Sequence, residues 1–208
     1  MIMTDILNSV IEFNKTAVVD HVTAAIKKGI PIDDILNKGL IAAMDVVGEK
    51  FTSGEIFVPE MLQAAKTMQL GLEVLKPHLA GDALMEKGTV IIGTVKGDLH
   101  DIGKNLVTMM VEGAGFNVID LGVDVDVEKF VSEAQVHNAD VVCLSALLTT
   151  TMPIMAKTVE AFKEAGLKAK IIIGGAPVTQ AYAQQIGADG FSDNAPGAVE
   201  LIRKLTAT

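Results

Sequence analysis

The sequence predicts an α/β protein in two parts: an N-terminal four-helix bundle, then a five-stranded parallel sheet with helices on both faces. Three observations carry this. Residues 1–86 place apolar side chains three and four positions apart. From Gly88 onward, five short apolar runs alternate with helical segments. Apolar residues make up 50% of 208 residues, with 4% aromatics and no Trp, so both cores must be aliphatic.

In the first part, Ile35, Leu36, Gly39, Leu40, Ala43, Met44, Val47 and Phe51 line one face of a helix. Pro31 stands near its start, where a missing N–H costs little. A further helix runs over 59–75 with Met61, Leu62, Ala65, Met68, Leu72 and Leu75 on its apolar face. Residues 5–28 read as one broken helix or two short ones. Such helices, joined by short loops, close as a small antiparallel bundle. The pattern changes across 80–87, the expected linker, so the domains are read as 1–86 and 87–208.

In the second part, strands are expected at 89–95, 116–121, 140–145, 169–174 and 188–191. Helices are expected at 101–114, 126–137, 152–165, 178–186 and 196–205. The first, third and fourth runs are continuously apolar, as strands covered on both faces should be. Right-handed crossovers then give a flavodoxin-like or Rossmann-like arrangement, with ligands gathering at the carboxyl ends of the strands.

Charge and composition exclude several functions. A net charge of −9 repels phosphate backbones and anionic bilayers, so neither nucleic acid nor membrane is expected as a partner. Cys143, the one cysteine, sits in an apolar run and reads as a small buried hydrophobe in a reducing compartment. The first residues lack a signal peptide's basic start, and no apolar run reaches the roughly 18 residues of a membrane span. The expected location is the cytoplasm. His21, His78 and His137 have no matching partners and read as surface or capping groups. Gly93, Gly97 and Gly103 do not fit the dinucleotide spacing, and no phosphate-binding loop occurs.

The chemistry concentrates after the first strand, in Gly97-Asp98-Leu99-His100-Asp101-Ile102-Gly103. A neutral imidazole is a good transition-metal ligand. A carboxylate on its other nitrogen fixes the tautomer and raises its basicity. The alternative is a plain helix start capped by Asp98 or Asp101, with His100 merely exposed. The third strand ends in hydroxyls, Ser145 and Thr149 to Thr151, and the fourth in Gly174-Gly175. All three segments meet at one edge of the expected sheet.

Asp98, His100 and Gly103, then Ser145 and Leu147 after 41 residues, then Gly174 and Gly175 after 26 more, resemble the cobalamin-binding domain family. That family carries Asp-x-His-x-x-Gly, Ser-x-Leu and Gly-Gly in this order. The stretch from Ala43 to Phe51, with Gly54 and Phe57-Val58-Pro59-Glu60-Met61, looks like the helical cap of methionine synthase and of small corrinoid methyl carriers. The resemblance implies cobalamin or a related corrinoid, bound with its own base off the cobalt and His100 as lower ligand. It implies that Asp98 bonds the imidazole and that Ser145 extends the relay or contacts the nucleotide tail. Thr149, Gly174 and Gly175 would line the tail slot. Leu99, Asp101, Ile102 and Leu147 would lie near the corrin, and Ala195 would close the rim. Phe57 and Met61 would stand over its upper face.

The implied function is carriage of a methyl group on cobalt, without a catalytic module of its own. A substrate-specific methyltransferase would load it; a second methyltransferase, acting on tetrahydrofolate or a thiol, would unload it. A reductive activator would rescue oxidised cobalt, and the 80–87 linker would act as a hinge. The donor, whether methylamine, methanol, betaine or aryl methyl ether, is left open. The alternative is the cobalamin-binding subunit of an adenosylcobalamin-dependent mutase, which shares the first motif but usually lacks the cap.

Overall fold

A computed structural model describes residues 2–78 and 87–207. The expected linker and hinge fall outside the described residues, apart from Lys87. The chain divides into two compact units, Met1–Glu86 with Glu112–Gly115, and Lys87–Val111 with Phe116–Thr208.

The helical unit contains α1 (Ile2–Ile11), α2 (Lys15–Lys27), α3 (Ile32–Asp34), α4 (Ala42–Thr52) and α5 (Val58–Leu75). A π-helical segment, Ile35–Ile41, runs α3 into α4. The 5–28 region is two helices. Phe13 breaks them apart at φ +59°, and the Asn14 side chain accepts the Ala17 N–H at 3.1 Å to cap α2. At the start of α5, Glu60 Oε2 accepts the Phe57 N–H at 3.1 Å, and Pro59 occupies the first turn. Ile6, Val10, Val18, Val22, Leu40, Val47, Met68 and Leu75 are buried. Each such side chain contributes roughly 1.5–3 kcal/mol relative to exposure.

The second unit alternates strictly. Its elements are β1 (Thr89–Thr94), α6 (Ile102–Gly113), β2 (Asn117–Asp120), α7 (Val127–Val136), β3 (Val141–Ser145), α8 (Met152–Glu164), β4 (Lys170–Gly174), α9 (Gln180–Ile186), β5 (Gly190–Ser192) and α10 (Ala195–Thr206). The sheet is parallel throughout, in the order β2-β1-β3-β4-β5. Ile91 stands level with Ile119 on one side and Val142 on the other, and Cys143 with Ile172. On one face Ile91, Val142, Leu144, Ile171 and Ile173 pack with Phe130, Met155, Val159 and Phe162. The opposite parity, Val90, Ile92, Cys143 and Ile172, is buried too, so both faces are covered.

This order sets the position of the site. The chain leaves β1 for β2 on one side, then crosses to β3 on the other. The loops after β1 and β3 therefore lie side by side at the carboxyl ends of two neighbouring strands, at the point where the order reverses, the place where ligands gather in open α/β sheets. Among the described residues, no helix is long and apolar enough to cross a membrane.

Candidate functional site

The loop after β1 begins with a tight turn. The Asp98 N–H donates to Val95 O at 3.1 Å, and the third residue, Gly97, has φ +82°. A turn of the type II kind requires this positive φ, which glycine supplies without steric cost. The turn sends the Asp98 side chain inward, where it is fully buried.

Five donors converge on that carboxylate. Oδ1 accepts the His100 N–H at 3.1 Å and faces His100 Nδ1 at 2.7 Å. Oδ2 accepts the N–H groups of Leu147 at 2.8 Å and Leu148 at 3.1 Å, and the Thr151 hydroxyl at 2.9 Å. Burial by itself pushes the Asp98 carboxyl up. The bonds from the His100 ring, the Leu147 and His100 amides and Thr151 outweigh it and hold the group well below the usual carboxylate range. Asp98 is thus a fixed anion. The proton between it and the imidazole stays on Nδ1, which leaves a lone pair on Nε2.

His100 is anchored at its backbone and open at its tip. Its carbonyl accepts the Thr94 hydroxyl at 2.9 Å, while 51% of its side chain is exposed. No described hydrogen bond engages Nε2. The same two loops expose large hydrophobics: Leu99 at 71% and Ile102 at 79%, close to His100 in the chain, and Leu147 at 43% and Leu148 at 40%, whose N–H groups bond Asp98. A Cβ at Gly103 would meet nothing within 4 Å, so the space beside the first turn of α6 is not taken up by the protein's own packing.

The glycines after β4 have a different cause. Gly175 lies at φ +124°, and a Cβ there would fall 1.9 Å from the Ala146 carbonyl oxygen. A Cβ at Gly174 would sit 3.0 Å from Ser192 O. The ends of β3, β4 and β5 thus close on one another through bare backbone.

Several expected roles are redistributed. The hydroxyl on Asp98 belongs to Thr151, not Ser145, which is half-buried and makes no described bond to Asp98. Thr149 is exposed. Asp101 accepts the Asn105 side-chain amide at 3.0 Å and so braces the first turn of α6. Ala195 is buried in the first turn of α10, behind the Asn194 cap. Phe57 is 65% exposed, whereas Met61 is fully buried. Met61 lies on the packed face of α5, with Ala65, Met68 and Leu72, since its i, i+4, i+7 and i+11 spacing keeps it on the inner stripe.

Thr94 and Leu148 escaped the sequence reading, which took Thr151 only as one of three clustered hydroxyls. Nothing in three successive threonines tells which one turns inward. That is decided by the turn Thr151 N–H to Leu148 O, at 3.1 Å. The adjacent Met152 carbonyl accepts the Tyr182 hydroxyl at 2.7 Å, which ties the first turn of α8 to α9.

The donor set fits one kind of metal group. Among the described residues, no cluster of three or more His, Cys, Asp or Glu is arranged to hold an ion. A single oriented imidazole does not hold a bare cation. It fits a metal already held by a macrocycle, and the exposed Leu99, Ile102, Leu147 and Leu148 fit the faces of such a ring.

Comparison with known proteins agrees with this geometry. A B12 binding domain family matches residues 88–202, and a second family of the same description matches residues 2–76. A corrinoid protein of Desulfitobacterium hafniense strain Y51 is 38% identical over 98% of this chain and 97% of its own length. Dimethylamine corrinoid protein 1 of Methanosarcina acetivorans is 43% identical over 99% of this chain and 98% of its own. The crystal structure of the methanol:cobalamin methyltransferase complex of Methanosarcina barkeri superposes with a TM-score of 0.89 at 31% identity, over 99% of this chain and 80% of that one. The oriented histidine, its sheet and its relatives place the chain in the B12-binding corrinoid protein family.

Proposed function

We propose that the chain holds a cobalamin-type corrinoid with the nucleotide base off the cobalt and His100 in its place, and that it carries methyl groups between two methyltransferases in the cytoplasm. In this reading residues 87–208 hold the cofactor and residues 1–86 form a cap domain, with Phe57 facing the corrin's upper side. The observation that carries it is the Asp98-held imidazole, with Nδ1 at 2.7 Å from the carboxylate and Nε2 in no described hydrogen bond, on loops that expose leucine and isoleucine.

When bound, the corrinoid supplies a cobalt that takes up a methyl group from a donor and yields it to a nucleophile. The chain does the rest. Asp98 keeps the proton on Nδ1, so Nε2 is presented as a neutral ligand. Leu99, Ile102, Leu147 and Leu148 exclude water from the lower face. Gly103 leaves room for the ring edge, and Asp101 stands beside it. Ser145, Thr149, Gly174 and Gly175 line the slot for the nucleotide tail, and Ala195 closes its rim.

The partners follow from the relatives. The likeness to the methanol:cobalamin methyltransferase complex supports docking on a substrate-specific methyltransferase. Relatives named for dimethylamine and trimethylamine support a methylated amine as the donor class. A second methyltransferase, acting on tetrahydrofolate or a thiol, and a reductive activator complete the cycle.

The test is optical. Purified protein loaded with hydroxocobalamin is stripped of excess cofactor, and its visible spectrum is recorded beside that of His100→Ala. Wild type is expected to retain the corrinoid with a histidine-ligated spectrum, and the variant to lose that signature. Identical spectra in the two would remove His100 as the ligand.

A further inference from the structure

The turn that carries Asp98 and His100 is gripped from a second direction, by the loop between β2 and α7. Asp124, in that loop, sits at φ +55°. Side chains other than glycine rarely adopt this conformation, and they hold it only where surrounding contacts over-determine it. The contacts are on the page. Asp124 Oδ1 accepts the Gly97 N–H at 2.8 Å, and the Asp124 N–H donates to Asp98 O at 3.0 Å. One residue thus closes a two-point staple across Gly97–Asp98, with only Leu99 between the staple and His100.

The neighbours reinforce it. Val95 pairs with Val125 in an isolated parallel bridge, and the Val125 N–H donates to Thr94 O at 3.0 Å. Lys96 Nζ lies 3.4 Å from Asp124 Oδ2 and 3.3 Å from Asp126 Oδ2. The Gly97 N–H, ahead of burial and the Lys96 ammonium, sets the Asp124 carboxyl below its ordinary value. The bonds from Leu147, Leu148 and Thr151 fix the side chain of Asp98. They do not fix the backbone of Gly97–Asp98, which decides where the imidazole points.

We propose that Asp124 is a positioning residue for the lower ligand: from the β2–α7 loop it staples the Gly97–Asp98 backbone and so sets the direction of His100 Nε2. The inference rests on His100 being the ligand. It adds that the alignment depends on a loop that shares no residue with the three cofactor motifs.

The experiment compares wild type, Asp124→Gly, Asp124→Asn and His100→Ala, each loaded with hydroxocobalamin. Three quantities are read: the histidine-ligated fraction from the visible spectrum, the rate of corrinoid loss on dilution, and the thermal midpoint by circular dichroism. Glycine adopts φ +55° freely and removes only the carboxylate. Asp124→Gly is therefore expected to fold, to lose corrinoid about tenfold faster, and to show a reduced ligated fraction, the scale typical of groups that orient a metal ligand. Asparagine tolerates the same φ and keeps an oxygen for the Gly97 N–H, so Asp124→Asn is expected to stay near wild type. A wild-type spectrum and loss rate in Asp124→Gly, with the signature gone in His100→Ala, would overturn the staple and leave the ligand reading standing. Failure of Asp124→Gly to fold would also overturn it, because the residue would then serve the fold. A wild-type spectrum in His100→Ala would sink the ligand reading, and this inference with it.

Discussion

A carboxylate taken fully out of water is costly unless its lone pairs are met, and Asp98 meets them with five donors. Charge-assisted bonds of this kind contribute about 1.5–3 kcal/mol each. Asp98 therefore holds the loops after β1 and β3 together before any cofactor is present. Its folded pKa lies below the unfolded value of about 3.9, so in acid the unfolded chain binds the extra proton. The stability it lends is complete above about pH 4 and is lost as pH falls toward the folded value. Asp98→Asn in the cofactor-free protein should cost about 1–3 kcal/mol at neutral pH, because the amide turns a donor toward the Leu147 and Leu148 N–H groups. Urea midpoints between about pH 2 and 7 should show that gap shrinking in acid; a gap independent of pH would mean that the carboxylate is not the stabilising form. Of this residue's environment, the pairing with His100 was legible from the two-residue spacing. Its bonds to Leu147, Leu148 and Thr151 were not, because they cross about 50 residues of chain and depend on a turn whose closure leaves no pattern in the sequence.

The elements of the α/β unit were legible nearly to their ends. Continuous apolar runs as short as these, flanked by glycine and polar residues, have no other stable use than as buried parallel strands. The π-helical segment Ile35–Ile41 was not legible. Its residues keep the same three- and four-residue spacing as an α-helix, and the widened turn follows from packing: a Cβ at Gly39 would lie 3.1 Å from Ile6 Cγ2. Gly174-Gly175 was read as slot lining. The structure adds a stronger demand, since Gly175 abuts the Ala146 carbonyl. Gly175→Ala is expected to destabilise by at least about 2 kcal/mol, from strained φ and forced separation of the loops after β3 and β4. A thermal midpoint within a degree or two of wild type would show that those loops can part at little cost. A second device of this scale is Lys104, buried in the first turn of α6 and paired with Asp120 at the end of β2 at 2.5 Å. It ties the helix that follows the His100 loop to the sheet edge.

At the scale of the molecule, the described groups bonded to His100, to Asp98 or to the Gly97–Asp98 backbone through side chains come from one unit: Thr94, Asp98, Asp124, Leu147, Leu148 and Thr151 all lie in Lys87–Val111 or Phe116–Thr208. A fragment of residues 87–208 is therefore expected to fold and to give the histidine-ligated spectrum with hydroxocobalamin. A folded fragment without that signature would show that the helical unit helps to set the ligand. Whole-chain composition predicted the aliphatic cores, and it left one more property unread. The chain has no Trp and a single Tyr, Tyr182, whose hydroxyl is bonded to the Met152 carbonyl beside Thr151. Tyrosine-range emission from this protein has one source, since the seven Phe emit only weakly and at shorter wavelength, and its hydroxyl is bonded to the residue next to the one that steadies Asp98. A coloured macrocycle nearby would drain that emission by energy transfer. Loading and release can then be timed in the native chain, with no dye attached and no residue replaced.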